Sequence, residues 1–590
     1  LGIDVGASAQ GRSGILIVTR RMLEEGIKKL ELQTGVMVIS RRDFGAMEGV
    51  QQGWRVPTPL EVQRSGIEGN IQVLAKSKYC AYPSTKSKIV PSVLHNKITK
   101  ATTKPCILDV NKMEENMNKY ATPSLPFPQK YVEEAAASVV DELSQKETIR
   151  LERVLTVKEA INGVLGMPYI DSLDMTTSAG FPFVGENMKG KKEQLFERVE
   201  KDGEEYWMPR PDLHRLIVSI HVMIADKIYP DFPYTNTLKD ERKDNEDVDK
   251  GKVRMFSMSS CAYAIVMRQY FLPTIAHLYQ CRRDTFLTIG MDKTSKEWDS
   301  FVRRMLEVSN KFHDGDYKKF DTRASLEVRY ALNRLFIPSW MTDVQKTSAE
   351  VLLRYDGQAL HQYFDYILVI PSGTSSGSIL TAIIGSLINE CYIRMAWLHI
   401  FELSSLRDLR YYRTFVRSKN YGDDLVLTVA DEIKDVFNCA TIADFLAMYD
   451  ITMTSGDKTG EFREKEISEF TFLRHNTGVL FGSYVPLAKD PAEQINWYKK
   501  GNHSETPEVA CENNCNSALR ATFFFGKERF TDLRDKILRE RPDYNLLSWY
   551  SLRDEFLNFG KLCDVEGTFA FGESRMTLDS LKSYFANASI

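Results

Sequence analysis

The stretch SKNYGDDLVLTV, residues 418–429, places two adjacent aspartates in a Tyr-Gly-Asp-Asp turn and follows them with an apolar run. Residues 425–429 read as a strand, and the Gly-Asp pair as the turn that opens it. Two carboxylates side by side repel each other, so the pair is expensive to hold without a cation. Its plain reading is a polar hairpin turn. The sharper reading is half of a metal site.

The other half must come from elsewhere in the chain. KFHDGDYKKFDTR, residues 311–323, gathers Asp314, Asp316 and Asp321 at the end of a second predicted strand. Alone, this cluster reads as an exposed acidic turn. A two-metal site for phosphoryl transfer, however, needs carboxylates converging from different strands. Magnesium prefers oxygen ligands and keeps several waters, so a few aspartates suffice. Laying the two strands side by side sets Asp316 against Asp423.

Composition bounds the rest. A chain of 590 residues is too long for one simple core, so several subdomains are expected. The net charge of −3 gives the whole molecule no basic signature, so any nucleic-acid contact must use local basic groups lining a channel. The nine cysteines are scattered; Cys511 and Cys515 form a close pair, but no second pair or His doublet completes a zinc set. Reduced thiols are the reading. No secretory signal is visible. The longest apolar segment, 379–401, carries Asn389, Glu390 and Arg394, which makes it a buried helix rather than a membrane span.

The neighbours of the two acidic stretches, and their order, are what decide between the readings. YGDD (421–424) resembles motif C of viral RNA-dependent RNA polymerases. DYKKFD (316–321) resembles motif A, and PSG (371–373) with its small-residue loop and helix resembles motif B. TMTSGDK (452–458) is similar to motif D and FLRH (472–475) to motif E. Upstream, KDER (239–242) with KGKVR (250–254) is similar to motif F, and TSAGFPF (177–183) to motif G. The seven occur in the family's order, G-F-A-B-C-D-E, across about 80–590. The details point to the picorna-like branch, on its insect-virus side (iflaviruses and dicistroviruses).

The resemblance implies a mixed α+β fold, the closed right hand of fingers, palm and helical thumb. The fingers would span 53–275, with an index-finger segment at 80–130. The palm would span 276–478, with a fingers insertion at about 335–368, and the thumb 479–590. The resemblance also implies roles. Asp316 and Asp423 would bind two Mg²⁺ ions, with Mn²⁺ able to substitute, and Asp424 would support them. Asp321 would hydrogen-bond toward the ribose 2′-OH, the group that separates RNA from DNA. Lys239, Arg242, Lys252 and Arg254 would form a cationic entry for the triphosphate, with Glu241 holding the basic group by ion pairing. Lys458 would protonate the leaving pyrophosphate or neutralise its charge. Ser372 and Gly373 would read the template–nucleotide pair, Thr177, Ser178, Ala179 and Gly180 would shape the template entrance, and Phe472, Leu473 and Arg474 would grip the primer. Each has a plain alternative. Residues 239–254 alone are a solvated charged hairpin, Lys458 a surface lysine, PSG a turn, 177–180 a helix-capping turn with Ser178 as cap, and Phe472 a packing residue.

Motif B departs from the family pattern PSG-x3-T-x3-N. Read without a gap, those positions are Gly377 and Thr381; read from the tail LTAIIGSLIN, the loop is four residues longer and Gly385 replaces the Asn. Either way the expected Asn partner of Asp321 is missing, and Thr381 keeps a place in both alignments.

Residues 1–40 resemble the last strands of a chymotrypsin-like cysteine protease, without a Gly-x-Cys-Gly nucleophile motif, joined by a linker to about 52. Gln33-Thr34 and Gln52-Gly53 are candidate cleavage points. The implied function is template-directed RNA synthesis from ribonucleoside triphosphates, started on a primer 3′-OH or a genome-linked protein primer's tyrosine. Other viral replication proteins would be partners, in the host cytoplasm at virus-induced membranes and with no membrane span. Three alternatives stand beside it. A reverse transcriptase also carries Tyr-x-Asp-Asp but places a bulky residue where Asp321 stands. An inactive RNA-binding scaffold would not need the acidic residues, all of which are present. A metal-dependent nuclease would need neither Lys458 nor motif G.

Overall fold

In the computed structural model, residues 54–566 are described, apart from 186, 187, 190, 202, 459 and 502–505. The protease-like reading of 1–40 and both candidate cleavage points lie outside the described residues. The 418–429 stretch is a hairpin: strands Val416–Tyr421 and Asp424–Val429 pair antiparallel, with Tyr421 opposite Asp424. Strand His313–Tyr317 pairs with the second hairpin strand (His313 with Leu427, Gly315 with Leu425) and, on its other edge, with Met453–Ser455. The result is a four-stranded antiparallel sheet, and it joins three of the sequence motifs edge to edge.

Helices cover one side of this sheet. Thr381–Ile400 packs on the hairpin and on helices Gln129–Ser144 and Cys439–Ala447. Every residue of it from Ile383 to Leu398 is buried, including Asn389, Glu390 and Arg394. Their burial is matched by partners. Arg394 pairs with Glu142 and Glu390, Arg413 reaches both carboxylates, and Ser418 and Asn420 donate to Glu390. Buried charges of this kind persist only when fully paired. No helix among the described residues is long and apolar enough to cross a membrane.

A second, mixed sheet runs in the order Gln72–Ala81, Leu360–Val369, Tyr234–Leu238, Met255–Met258, with the middle pair parallel. Helix Asp343–Gly357 feeds its Leu360–Val369 strand after a capping box at Thr342. The C-terminal helices Pro507–Phe523, Lys527–Glu540 and Trp549–Glu566 form a separate apolar core. Cys511 and Cys515 are buried there as free thiols.

One segment ties an N-terminal part of the described residues to the C-terminal helical part. Strand Ile89–Pro91 pairs with Trp497–Lys499. Ser92 donates to the Ile495 carbonyl, and Glu493 accepts from the Thr102 and Thr103 amides.

Candidate active site

The hairpin turn is built around Gly422, at φ 61°. A glycine at the first central position of a two-residue hairpin loop is the type II′ pattern, whose twist matches the strands. Helix Thr381–Ile400 holds this turn at both backbone groups: Ser386 Oγ accepts the Gly422 N–H and Asn389 donates to the Gly422 carbonyl, each at 2.9 Å. Asp423 is thereby presented at the tip. Extending the strand register by one residue sets Asp316 beside Asp424.

Asp423 keeps an exposed surface yet has protein packed around it. Burial, then the charges of Asp316, Asp321 and Asp424, push its carboxyl up to about 7. Asp424 is pushed up to about 6 by burial and Asp316, against the charges of Arg474 and Lys458 and a hydrogen bond from the Leu473 amide. The repulsion inferred from the sequence is therefore present in the fold. As the side chains stand, no three donors among the described residues close on a single point. The donor set itself is all-carboxylate, the kind that Mg²⁺ and Mn²⁺ favour, and a cation would relieve the repulsion among Asp316, Asp423 and Asp424.

Asp314 belongs to a different structure. Two residues further into the strand, it is 1% exposed and ion-paired with buried Lys465 at 2.6 Å. Asp321, in the turn Phe320–Arg323, is open to the cleft but deep in the protein. Burial raises its carboxyl's pKa while Arg254 and Lys239 oppose the shift. The backbone of Asp321 is where motifs A and B meet. Its carbonyl accepts the Thr374 amide at 2.7 Å, and Ser372 donates to the next carbonyl, of Thr322. Gly373, at φ 95°, admits no side chain, because a Cβ would lie 2.5 Å from the Asp321 carbonyl oxygen. Thr381 opens the following helix and spends its hydroxyl on the Ser375 and Ser378 carbonyls.

The basic residues divide. Arg254 makes a two-point contact with Glu241 (Nε to Oε1 2.8 Å, Nη2 to Oε2 2.5 Å), and Lys239 stands 3.6 Å from the same carboxylate. The charges of Asp321 and Asp423 reach Arg254, so the acidic and basic groups share one cleft. Arg242 is not brought to this cluster: it points to the Glu493 carbonyl. Lys252 pairs at the surface with Asp247 at 2.7 Å. Lys458 is exposed, in a left-handed backbone conformation at φ 60°, near enough to Asp424 to act on its charge.

The remaining candidates flank the cleft. Thr177 accepts from the Lys192 ammonium at 2.7 Å. Ser178 caps no helix, since its Oγ accepts the Gly180 amide within the turn. Ala179 is fully buried, with its carbonyl on the Cys261 amide. Gly180, at φ 65°, lies so close to Ser259 that a Cβ would sit 2.2 Å from its carbonyl oxygen. Phe472 is 1% exposed and packs on Phe301. Leu473 and Arg474 form a two-residue turn, both with positive φ (50° and 62°), closed by reciprocal Phe472–His475 bonds. Non-glycine residues are costly there and persist where the surroundings demand them; this turn delivers the Leu473 amide and the Arg474 charge to Asp424.

Three participants had no signal in the sequence reading. Ser386 and Asn389 hold the turn from a helix whose sequence marks it as buried but not as a support for the hairpin. Lys293, half-buried and lowered in pKa by burial, faces Asp424 from a loop outside every motif.

Comparison with known proteins places the fold. A family profile described as viral RNA-dependent RNA polymerase matches residues 83–539. The chain is 27% identical over 560 residues to the genome polyprotein of Rice tungro spherical virus (strain Vt6), covering 88% of this chain and 16% of that protein. It is 25% identical to the replicase polyprotein of Cricket paralysis virus, covering 88% and 30%, and 29% identical to the genome polyprotein of Deformed wing virus, covering 73% and 15%. The chain thus spans less than a third of the length of these relatives. In structure it is similar to the Sicinivirus 3Dpol RNA dependent RNA polymerase, with a TM-score of 0.66 and 19% identity, covering 82% of this chain and 98% of that one.

Proposed function

We propose, from the premise that the chain belongs to the viral RNA-dependent RNA polymerase family, that it copies an RNA template by adding ribonucleotides to a primer 3′-OH. The observation that carries the reading is the meeting of Asp316, Asp423 and Asp424 at adjoining strand ends, in a cleft shared with Arg254 and Lys239. Asp316 and Asp423 would hold divalent ions, Mg²⁺ or Mn²⁺, with Asp424 in support. When bound, the ions would activate the attacking hydroxyl and neutralise charge on the triphosphate. Arg254, oriented by Glu241, would receive the triphosphate with Lys239. Arg242 and Lys252 have weaker support, since their side chains are engaged elsewhere. Asp321 would meet the ribose, and Lys458 would donate to the leaving pyrophosphate.

The domain division proposed on this reading is fingers 53–275, palm 276–478 and thumb 479–590, with the 89–103 contacts to the thumb closing the hand. A genome-linked protein primer, other replication proteins, host cytoplasm and virus-induced membranes belong to the same proposal. The inactive-scaffold alternative finds no supporting observation, as every carboxylate of the set is present.

The test is extension of an annealed RNA primer by the full chain. Extension that requires Mg²⁺, stops in EDTA and prefers ribo- over deoxyribonucleotides is expected. A folded protein that binds the RNA but never extends it would sink the proposal. In the same assay Arg254→Lys is expected to raise the half-saturating nucleotide concentration about tenfold, because lysine cannot reproduce a two-point contact. An unchanged value would remove Arg254 from the triphosphate site.

A further inference from the structure

Lys465 is a lysine with 1% of its side chain exposed, its ammonium 2.6 Å from Asp314 Oδ1 and 2.9 Å from Asp457 Oδ2. Burying such charges costs several kcal/mol per ion unless the geometry is well satisfied. Here it is. Asp314 also accepts the Gly456 amide at 3.2 Å and, through its other oxygen, the Thr471 amide at 2.8 Å. The approach is so close that a Cβ on Gly456 would lie 2.7 Å from Asp314 Cγ. The backbone of Lys465 exchanges two hydrogen bonds with Phe312, at 2.9 and 2.8 Å.

These contacts pin Gly456 and Lys465, on either side of Lys458 in sequence, to the strand that carries Asp316. Between the pins stands Lys458, next to Asp457 in sequence. Its left-handed backbone is unfavourable for a lysine and needs a surrounding that enforces it. Asp457 supplies the adjacent anchor. Asp314 also fixes the segment leading to the Leu473–Arg474 turn, through Thr471. One buried carboxylate thus registers two loops against the catalytic strand.

We propose that Asp314, Lys465 and Asp457 form a positioning network that sets the Lys458 ammonium for the leaving pyrophosphate. This rests on the reading of Lys458 given above. None of the three would touch the reactants; they act through the loop.

Lys465→Met strands a buried Asp314 and is a poor first variant, because loss of folding would mask the effect. Asp457→Ala keeps the Asp314–Lys465 pair and removes a partly exposed group. The experiment measures single-nucleotide incorporation by enzyme preassembled on primer–template RNA, with and without Lys458→Met, together with thermal melting. Asp457→Ala is expected to slow the maximal rate about tenfold, to leave the half-saturating nucleotide concentration within about twofold, and to add no further loss once Lys458 is Met. Equal losses in both backgrounds, or no loss with Lys458 present, would overturn the network's role. A Lys458→Met enzyme as fast as the parent would instead overturn the reading of Lys458, and the proposal with it.

Discussion

Asp423→Asn is expected to lower nucleotide incorporation by at least about a thousandfold, the upper range for removing one electrostatic catalytic group, while making the metal-free fold more stable. The two effects have one cause. Burial and three neighbouring carboxylates hold Asp423 up to about 7. A group whose folded pKa is raised favours folding while protonated, and that contribution is lost as pH rises through the folded value. Below about pH 4 the carboxyl is protonated in the folded and unfolded states alike, so the substitution gains nothing there. Above pH 7 the wild type carries an ionised, crowded carboxylate that asparagine removes. Because Asp423 is partly open to solvent, the gain at pH 8 is expected to be only about 1 kcal/mol. Melting in EDTA at pH 4 and pH 8, beside the incorporation assay, checks both effects. Adding Mg²⁺ at pH 8 is expected to stabilise the wild type more than the variant. A lower melting temperature for the variant in EDTA at pH 8 would make Asp423 a structural group, and retained turnover would remove it from the chemistry.

What the sequence revealed was whatever is decided locally. The YGDD hairpin needs a glycine and a following strand, and both are contiguous. The buried character of the 381–400 helix follows from its polar residues, although their partners, Glu142 and Arg413, could not be read. Direction was harder. Within 239–254 the charges look equivalent, but the two residues where strand Arg242–Asp244 begins go to different partners: Glu241, just before it, turns to Arg254, and Arg242 turns to the Glu493 carbonyl, 251 residues on. The acidic run 314–321 likewise reads as one cluster. It is divided by Lys465, 151 residues later, which claims Asp314 and leaves Asp316 for the cleft. Ser386, Asn389 and Lys293 were missed because a residue that supports a turn from another element carries no local pattern.

Gly385→Asn restores, on one of the two motif B alignments, the residue the family pattern expects; it is nevertheless expected to lower incorporation about a hundredfold, the scale of an ångström-sized displacement at a reacting centre. A Cβ at Gly385 would stand 3.2 Å from Gly422 Cα and 3.5 Å from the Phe320 ring. That neighbour is the backbone of the turn that presents Asp423. It cannot retreat freely, because Ser386 and Asn389, on the same helix, bond its N–H and its carbonyl. The further atoms of an asparagine would push the turn away from helix Thr381–Ile400 and carry Asp423 with it. Thr381→Asn meets no such obstacle. Position 381 is partly open at the helix start, and an asparagine amide can donate to the Ser375 and Ser378 carbonyls as the threonine hydroxyl does. Its incorporation rate is expected to stay near that of the parent. Measuring both rates with ribo- and deoxyribonucleotides separates the alignments. A Gly385→Asn enzyme of normal rate and sharper ribose preference would show that the helix can turn that face to Asp321, contrary to the packing against Gly422. Sharper preference in Thr381→Asn alone would assign the ribose-facing position to the helix start, and the glycine at 385 to the close approach that the YGDD turn requires.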